Sequence, residues 1–192
     1  MYLRNINKEE LNNYTIKAFE GNVVLIDRME SFIRYIGSLR NQKILGFDTE
    51  TKPSFRKGRR NKVSLLQLAF DSTAYLFRLN RIGVPPEITR ILSDPDIIKV
   101  GVAVHDDIKI LQELVSFKPA GFIDLQKMVK EYGIESSSLK KITAIVLGFR
   151  ISKSQQVTDW EAPILTRQQK VYAATDAWVC YEIYRSLTCN NQ

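Results

Sequence analysis

The chain has 192 residues, of which 44% are hydrophobic and 26% are charged, a size and composition that suit one domain around a single core. No stretch approaches the roughly 20 apolar residues of a membrane span, and the first residues lack the apolar core of a signal peptide. Its two cysteines, Cys180 and Cys189, do not suit a disulfide framework or a zinc site, so we expect a reducing, cytoplasmic location. The net charge of +7 favours a polyanionic partner.

Hydrophobic periodicity and turn residues predict strands and helices that alternate along the chain. The predicted strands are residues 22–26, 43–49, 63–70, 74–79, 98–104 and 122–125. The predicted helices are residues 8–13, 28–39, 85–92, 108–115, 126–132, 139–147 and 167–187. The order of elements predicts an α/β domain with a mixed sheet of five to six strands and helices on both faces. We expect one domain over residues 1–192, with its core at about 20–190.

The predicted strand 43–49 runs directly into two carboxylates, Asp48 and Glu50. Residues two apart in a strand share one face, so both carboxylates point in the same direction. Like charges at one place repel each other and lose solvation unless a cation lies between them. This pair therefore indicates a metal site if further acids reach the same place.

Two later elements carry acids that can reach it. Asp106 and Asp107 lie where the strand 98–104 turns into a helix, a position where loops commonly carry function. Tyr172 and Asp176 lie four residues apart on the last helix and therefore share one of its faces. The small residues around them, among them Ala173, predict that this helix lies close to the sheet.

Each feature taken alone also has an ordinary structural interpretation. An Asp-x-Glu pair is usually a solvated strand end, and an Asp before a helix is usually its N-cap. Five cations in the segment 56–62 suit a solvated loop, and Trp160 suits packing in the core or a lid. The combination, rather than any one member, points to a function.

In chain order, three segments resemble the three motifs of the DEDD superfamily of 3′–5′ exonucleases: residues 47–50, 100–107 and 172–177. The third segment is similar to the Tyr subgroup (DEDDy), because Tyr172 lies four residues before Asp176. The sibling subgroup has His five residues before that Asp, where this chain has Val171. The resemblance covers roughly residues 20–190 and is closest to the Werner-syndrome-type exonuclease domain, with RNase D more distant.

This resemblance implies an RNase H-like fold and two Mg²⁺ or Mn²⁺ ions. It assigns the ions to Asp48, Glu50, Asp107 and Asp176, and it assigns the positioning of the attacking water to Tyr172. Asp106 stays an alternative to Asp107, although Asp107 has the better register with the preceding Val-Gly pair. We expect substrate contacts from Thr49, Arg56, Lys57, Arg59, Arg60, Lys62, Arg150, Lys153 and Trp160.

The expected activity is two-metal hydrolysis of phosphodiester bonds from the 3′ end, which releases nucleoside 5′-monophosphates. The expected substrate is DNA, either single-stranded or with a recessed 3′ end. Two alternatives stay open at this point. One is the same chemistry on RNA, as in RNase D, and the other is a nucleic-acid-binding module without catalysis.

Overall fold

The computed structural model of the chain describes residues 2–54 and 61–189. Its centre is a six-stranded sheet in the order β1-β4-β3-β2-β5-β6. The strands are β1 (Asn22–Ile26), β2 (Ile44–Thr51), β3 (Val63–Phe70), β4 (Thr73–Phe77), β5 (Ile98–Gly101) and β6 (Phe122–Asp124). β3 pairs antiparallel with β2 and β4, whereas the β1–β4, β2–β5 and β5–β6 pairs are parallel. The carboxyl ends of β2, β5 and β6 therefore meet at one edge of the sheet.

Helices cover both faces of this sheet, as predicted. They are α1 (Lys8–Asn12), α2 (Met29–Arg40), α3 (Leu79–Ile82), α4 (Pro86–Ser93), α5 (Val104–Gln112), α6 (Leu125–Met128), α7 (Leu139–Leu147) and α8 (Arg167–Cys189), with a 3₁₀ turn at Val129–Tyr132. One apolar cluster joins the sheet to α2, α4 and α5, and a second joins it to α7 and α8. Among the described residues, no helix combines the length and apolar character needed to span a bilayer.

Two predicted strands extend well beyond the observed ones. Residues 74–79 were predicted as a strand, but β4 ends at Phe77 and α3 begins at Leu79. Residues 98–104 were predicted as a strand, but β5 ends at Gly101 and α5 begins at Val104. Between them, Ala103 has φ 56° and ψ 33°, a left-handed conformation that turns the chain sharply into the helix. The apolar run through Val104 conceals this turn, because Gly101 belongs to the strand itself and neither Val102 nor Ala103 is a typical turn residue. As a result, Asp106 and Asp107 lie within the first turn of α5.

Candidate active site

The first two acids lie at the carboxyl end of β2, on the face that α8 covers. α8 approaches this strand so closely that a Cβ atom on Gly46 would collide with the carbonyl oxygen of Ala177. Strand alternation places Asp48 and Glu50 on the same face as Gly46. Both carboxylates therefore point toward α8.

The last helix supplies the facing groups. A capping box closes its N-terminus: Gln169 N donates to Thr166 Oγ1 at 3.1 Å, and Thr166 N donates to Gln169 Oε1 at 3.0 Å. Ala173 and Ala177 have no exposed surface, which confirms that small residues let this helix lie close to the sheet. Asp176 is 7% exposed and faces the acids of β2.

Three carboxylates converge at this place. Oxygen atoms of Asp48, Glu50 and Asp176 all lie within 4.8 Å of one another, so they could hold a metal ion. Burial, followed by the charges of neighbouring acids, raises the pKa of Asp48 well above its usual value and that of Glu50 to about 9. Burial also raises the pKa of Asp176 to about 7, although Tyr172 and Lys153 oppose the rise. A site that disfavours its own ionised form suits a bound cation.

Asp107 approaches the cluster from α5. The hydroxyl of Thr49 donates a hydrogen bond to Asp107 Oδ1, which ties the first turn of α5 to β2. Burial raises the pKa of Asp107 to about 6, and this hydrogen bond limits the rise. Asp106 is exposed to solvent. Of the two adjacent acids, Asp107 is the one that faces the site, although it lies outside the group of three.

The placement of Asp107 depends on Asp124, a residue that the sequence did not single out. Asp124 Oδ1 accepts hydrogen bonds from Ala103 N at 3.1 Å and from Gln126 N at 2.9 Å. The carboxylate therefore holds the left-handed turn that begins α5. The sequence did contain a signal for this residue: Asp124 is an acid at the carboxyl end of a predicted strand, and β6 is parallel to β5.

Tyr172 is 9% exposed and lies one helical turn before Asp176. Burial and the charge of Asp176 raise the pKa of its hydroxyl, so the hydroxyl stays protonated and can donate to that carboxylate. Its ring packs against Trp160, with centroids 6.0 Å apart. Trp160 has no exposed surface, so it supports Tyr172 from behind instead of making the predicted contact with substrate.

The acids open into a cleft of about 390 Å³, which Thr49, Lys153 and Gln156 also line. Lys153 was a predicted substrate contact, and its position beside Asp176 brings a cation to the edge of the acidic site. Arg150 is engaged elsewhere, because its Nε donates to the Tyr14 carbonyl at 2.9 Å. Lys62 is exposed next to β3. Four further predicted contacts lie outside the described residues: Arg56, Lys57, Arg59 and Arg60.

A family model described as 3′–5′ exonuclease matches residues 23–190 of this chain. The chain belongs to the 3′–5′ exonuclease family. The sequence is 32% identical over 156 residues to the bifunctional 3′–5′ exonuclease/ATP-dependent helicase WRN of Mus musculus, covering 78% of this chain and 11% of WRN. The chain spans less than a third of the length of three curated relatives that it matches, WRN among them.

Solved structures of other exonucleases have the same fold. The Nibbler EXO domain of Aedes aegypti superimposes with a TM-score of 0.78 at 26% identity, covering 92% of this chain and 91% of that one. RNase D of Escherichia coli superimposes with a TM-score of 0.76 at 24% identity, covering 88% of this chain and 44% of that one, and this likeness concerns the fold. The predicted membership of the exonuclease family and the predicted RNase H-like fold are both confirmed.

Proposed function

We propose that this exonuclease domain hydrolyses phosphodiester bonds from the 3′ end of a nucleic acid and releases nucleoside 5′-monophosphates. The observation that carries the proposal is the convergence of three carboxylates within 4.8 Å of one another at the mouth of a cleft, with Tyr172 on the same helix face as one of them. Structural acids are rarely gathered in this way, since mutual repulsion raises their pKa values. The arrangement suits catalysis better than a binding module without activity.

The donor set fits hard divalent cations. Asp48, Glu50 and Asp176 offer oxygen ligands in a buried, electronegative pocket, and Asp107 adds a fourth carboxylate beside them. These residues would hold two Mg²⁺ or Mn²⁺ ions. When bound, such ions stabilise the attacking and leaving oxygens of an in-line displacement at phosphorus.

The side chains of the cleft would orient the reactants. The Tyr172 hydroxyl, kept protonated and close to Asp176, is placed to hold the attacking water by a hydrogen bond. Its ring is fixed by Trp160, so the hydroxyl has little freedom to move. Lys153, at the edge of the acids, would attract the phosphate that the acids alone would repel.

We propose DNA as the substrate, by analogy with DNA polymerase I of Aquifex aeolicus, to which the chain is 29% identical over 157 residues. RNA is the second candidate, because the solved structures with this fold include one described as RNase D in complex with RNA. The net charge of +7 suits either polyanion.

The proposal is tested by a time course on 5′-labelled single-stranded DNA, a recessed duplex and matching RNA, each with Mg²⁺, Mn²⁺ or EDTA. We expect a metal-dependent ladder that shortens from the 3′ end. Asp48→Asn should lower the rate at least about a thousandfold, the loss expected from several kcal/mol of metal-ion stabilisation. Asp107→Asn should also be impaired, whereas Asp106→Asn should retain activity. A wild-type protein that binds these strands but cleaves none of them would instead favour the binding module.

A further inference from the structure

A second cavity adjoins the acidic cleft on the other side of Tyr172. It has a volume of about 420 Å³, and its walls are the segment 17–18, the segment 152–154 and one face of α8. Tyr172 lines both cavities. We call this second space the basic cavity, after Lys17 and Arg167, which lie at its rim.

A short stretch of backbone separates the two spaces. Along residues 152–156, Ser152 and Ser154 face the basic cavity, whereas Lys153 and Gln156 face the acidic cleft. This stretch and Tyr172 therefore form a wall between the two spaces, and the basic cavity is the neighbouring space on this side of the acidic cleft.

The lining of the basic cavity has the opposite charge to the cleft. No acidic side chain lines it among the described residues, and neither Lys17 nor Arg167 forms an ion pair within those residues. Hydroxyl groups of Ser152 and Ser154 add neutral hydrogen-bonding groups, and the Tyr172 ring adds an apolar surface. Cations with hydroxyl groups bind phosphate, and an aromatic surface suits a base.

The walls of the basic cavity are anchored to the rest of the domain. Phe19 N donates to Thr175 Oγ1 on α8 at 2.9 Å, and Lys17 N donates to the Arg150 carbonyl at 2.9 Å. The Lys17 ammonium group lies 5.3 Å from the centre of the Phe149 ring. The cavity is therefore formed before any ligand binds, which lowers the entropic cost of binding.

We propose that the basic cavity binds the nucleotide on the 5′ side of the scissile bond, through its phosphate group. This inference rests on the proposed function, which places the 3′-terminal nucleotide at the acids. The next nucleotide must then lie in a neighbouring space, and the volume of the basic cavity falls in the range of small-ligand sites. Lys17 and Arg167 would each contact a phosphate oxygen.

The first test measures binding without catalysis. A fluorescein-labelled ten-nucleotide strand is titrated in EDTA with the wild-type chain and with Lys17→Gln/Arg167→Gln, and fluorescence anisotropy gives Kd. The double variant should bind roughly tenfold more weakly, and the slope of log Kd against log salt should fall by about 1.4, since each phosphate contact on a single strand contributes about 0.7. Arg34→Gln/Lys118→Gln removes the same charge on other parts of the surface and should bind like the wild type.

The second test measures the dependence on strand length. The comparison substrate is a dinucleotide without a 5′-phosphate, which offers no phosphate group to the basic cavity. The ratio of kcat/KM for the ten-nucleotide strand to kcat/KM for this dinucleotide should fall about tenfold in Lys17→Gln/Arg167→Gln, mainly through KM. Unchanged Kd and an unchanged ratio would overturn the proposal, as would an equal loss in the control double variant. If only inhibition by added nucleoside 5′-monophosphate weakens, the cavity holds free product and the strand assignment is wrong. Binding that depends on Lys17 and Arg167, without any cleavage, would refute the proposed function alone.

Discussion

Buried cations and buried carboxylates are held in different ways in this molecule. Arg78 is 1% exposed, and its guanidinium donates to the carbonyl oxygens of Ala162 at 2.6 Å and Pro163 at 3.0 Å. Lys99 has no exposed surface, and its ammonium donates to the carbonyl oxygens of residues 94 and 97 at 2.7 and 2.6 Å. The carboxylates of the acidic cleft, by contrast, face one another.

The difference separates groups that hold the fold together from groups that prepare a reaction. The hydrogen bonds of Arg78 and Lys99 offset much of the cost of burying their charge, and those of Arg78 join parts of the chain 84 and 85 residues apart. Burial, followed by the charges of neighbouring acids, raises the pKa values of Asp48 and Glu50, so the cost of their ionisation is relieved only by protons or by a bound cation. The hydrogen bonds of the buried cations therefore stabilise the domain, whereas the clustered carboxylates of the cleft destabilise it when they are ionised without a cation.

The largest effect is expected from removing a buried cation that donates hydrogen bonds to the backbone. Arg78→Met leaves the carbonyl groups of Ala162 and Pro163 without their donor and loosens the segment that carries Trp160. We expect a loss of about 3 kcal/mol in the free energy of unfolding, the value of two hydrogen bonds from a charged group. Urea unfolding followed by tryptophan fluorescence measures the loss. Arg81→Met, at a more exposed neighbour whose contact with Pro163 is 3.5 Å long, should unfold close to the wild-type midpoint. An unchanged midpoint for Arg78→Met would contradict the comparison.

A smaller effect is expected for the pH dependence of folding stability in the metal-free protein, and the pKa shifts of the carboxylates fix its direction. The folded state holds the Glu50 proton up to a pKa of about 9, compared with 4.5 for the ordinary side chain. Between these pH values the folded state binds more protons than the unfolded chain, so stability decreases as pH rises. Added Mg²⁺ or Mn²⁺ should therefore raise Tm more at pH 9 than at pH 5.

Thermal unfolding in EDTA from pH 5 to pH 9 tests this sign. A change of about 2 kcal/mol corresponds to roughly 4–8 °C in Tm for a domain of this size. Glu50→Gln should flatten the pH dependence and reduce the effect of metal. A Tm that rises with pH in EDTA, or a slope that Glu50→Gln leaves intact, would contradict the account of the cleft.

The parts of the site that the sequence predicted depend on local periodicity. Asp48 and Glu50 share a face because strand side chains alternate, and Tyr172 and Asp176 share a face because a helix turns every 3.6 residues. That the strand with Asp48 and Glu50 and the helix with Tyr172 and Asp176 meet at one place was predicted from the motifs that resemble known exonucleases. The substrate roles of Thr49, Lys62 and Lys153 stay predictions, whereas Trp160 is buried and Arg150 binds the Tyr14 carbonyl.

The parts that the sequence missed depend on contacts between distant residues. Arg78 is a polar residue at a strand end, and nothing near it in sequence shows that it binds a segment 84 and 85 residues further on. The left-handed Ala103 lies in an apolar run that resembles a continuing strand, and the partner that holds it, Asp124, is 21 residues away. Tertiary hydrogen bonds override the local pattern at both places.

The smallest effect is expected for Asp124, whose hydrogen bond to the backbone holds the turn that positions Asp107. Asp124→Ala removes the acceptor for Ala103 N, so the strained turn relaxes and α5 shifts with Asp107. We expect cleavage to fall about tenfold, equivalent to about 1.4 kcal/mol, with a higher metal concentration needed for half-maximal rate. Asp124→Asn keeps an acceptor oxygen and should retain most of the activity. Adding Ala103→Gly, which adopts positive φ at little cost, should restore part of the loss in Asp124→Ala. If Asp124→Asn is as impaired as Asp124→Ala, the charge of Asp124 matters more than its hydrogen bond to the turn, and it belongs with the acids of the cleft.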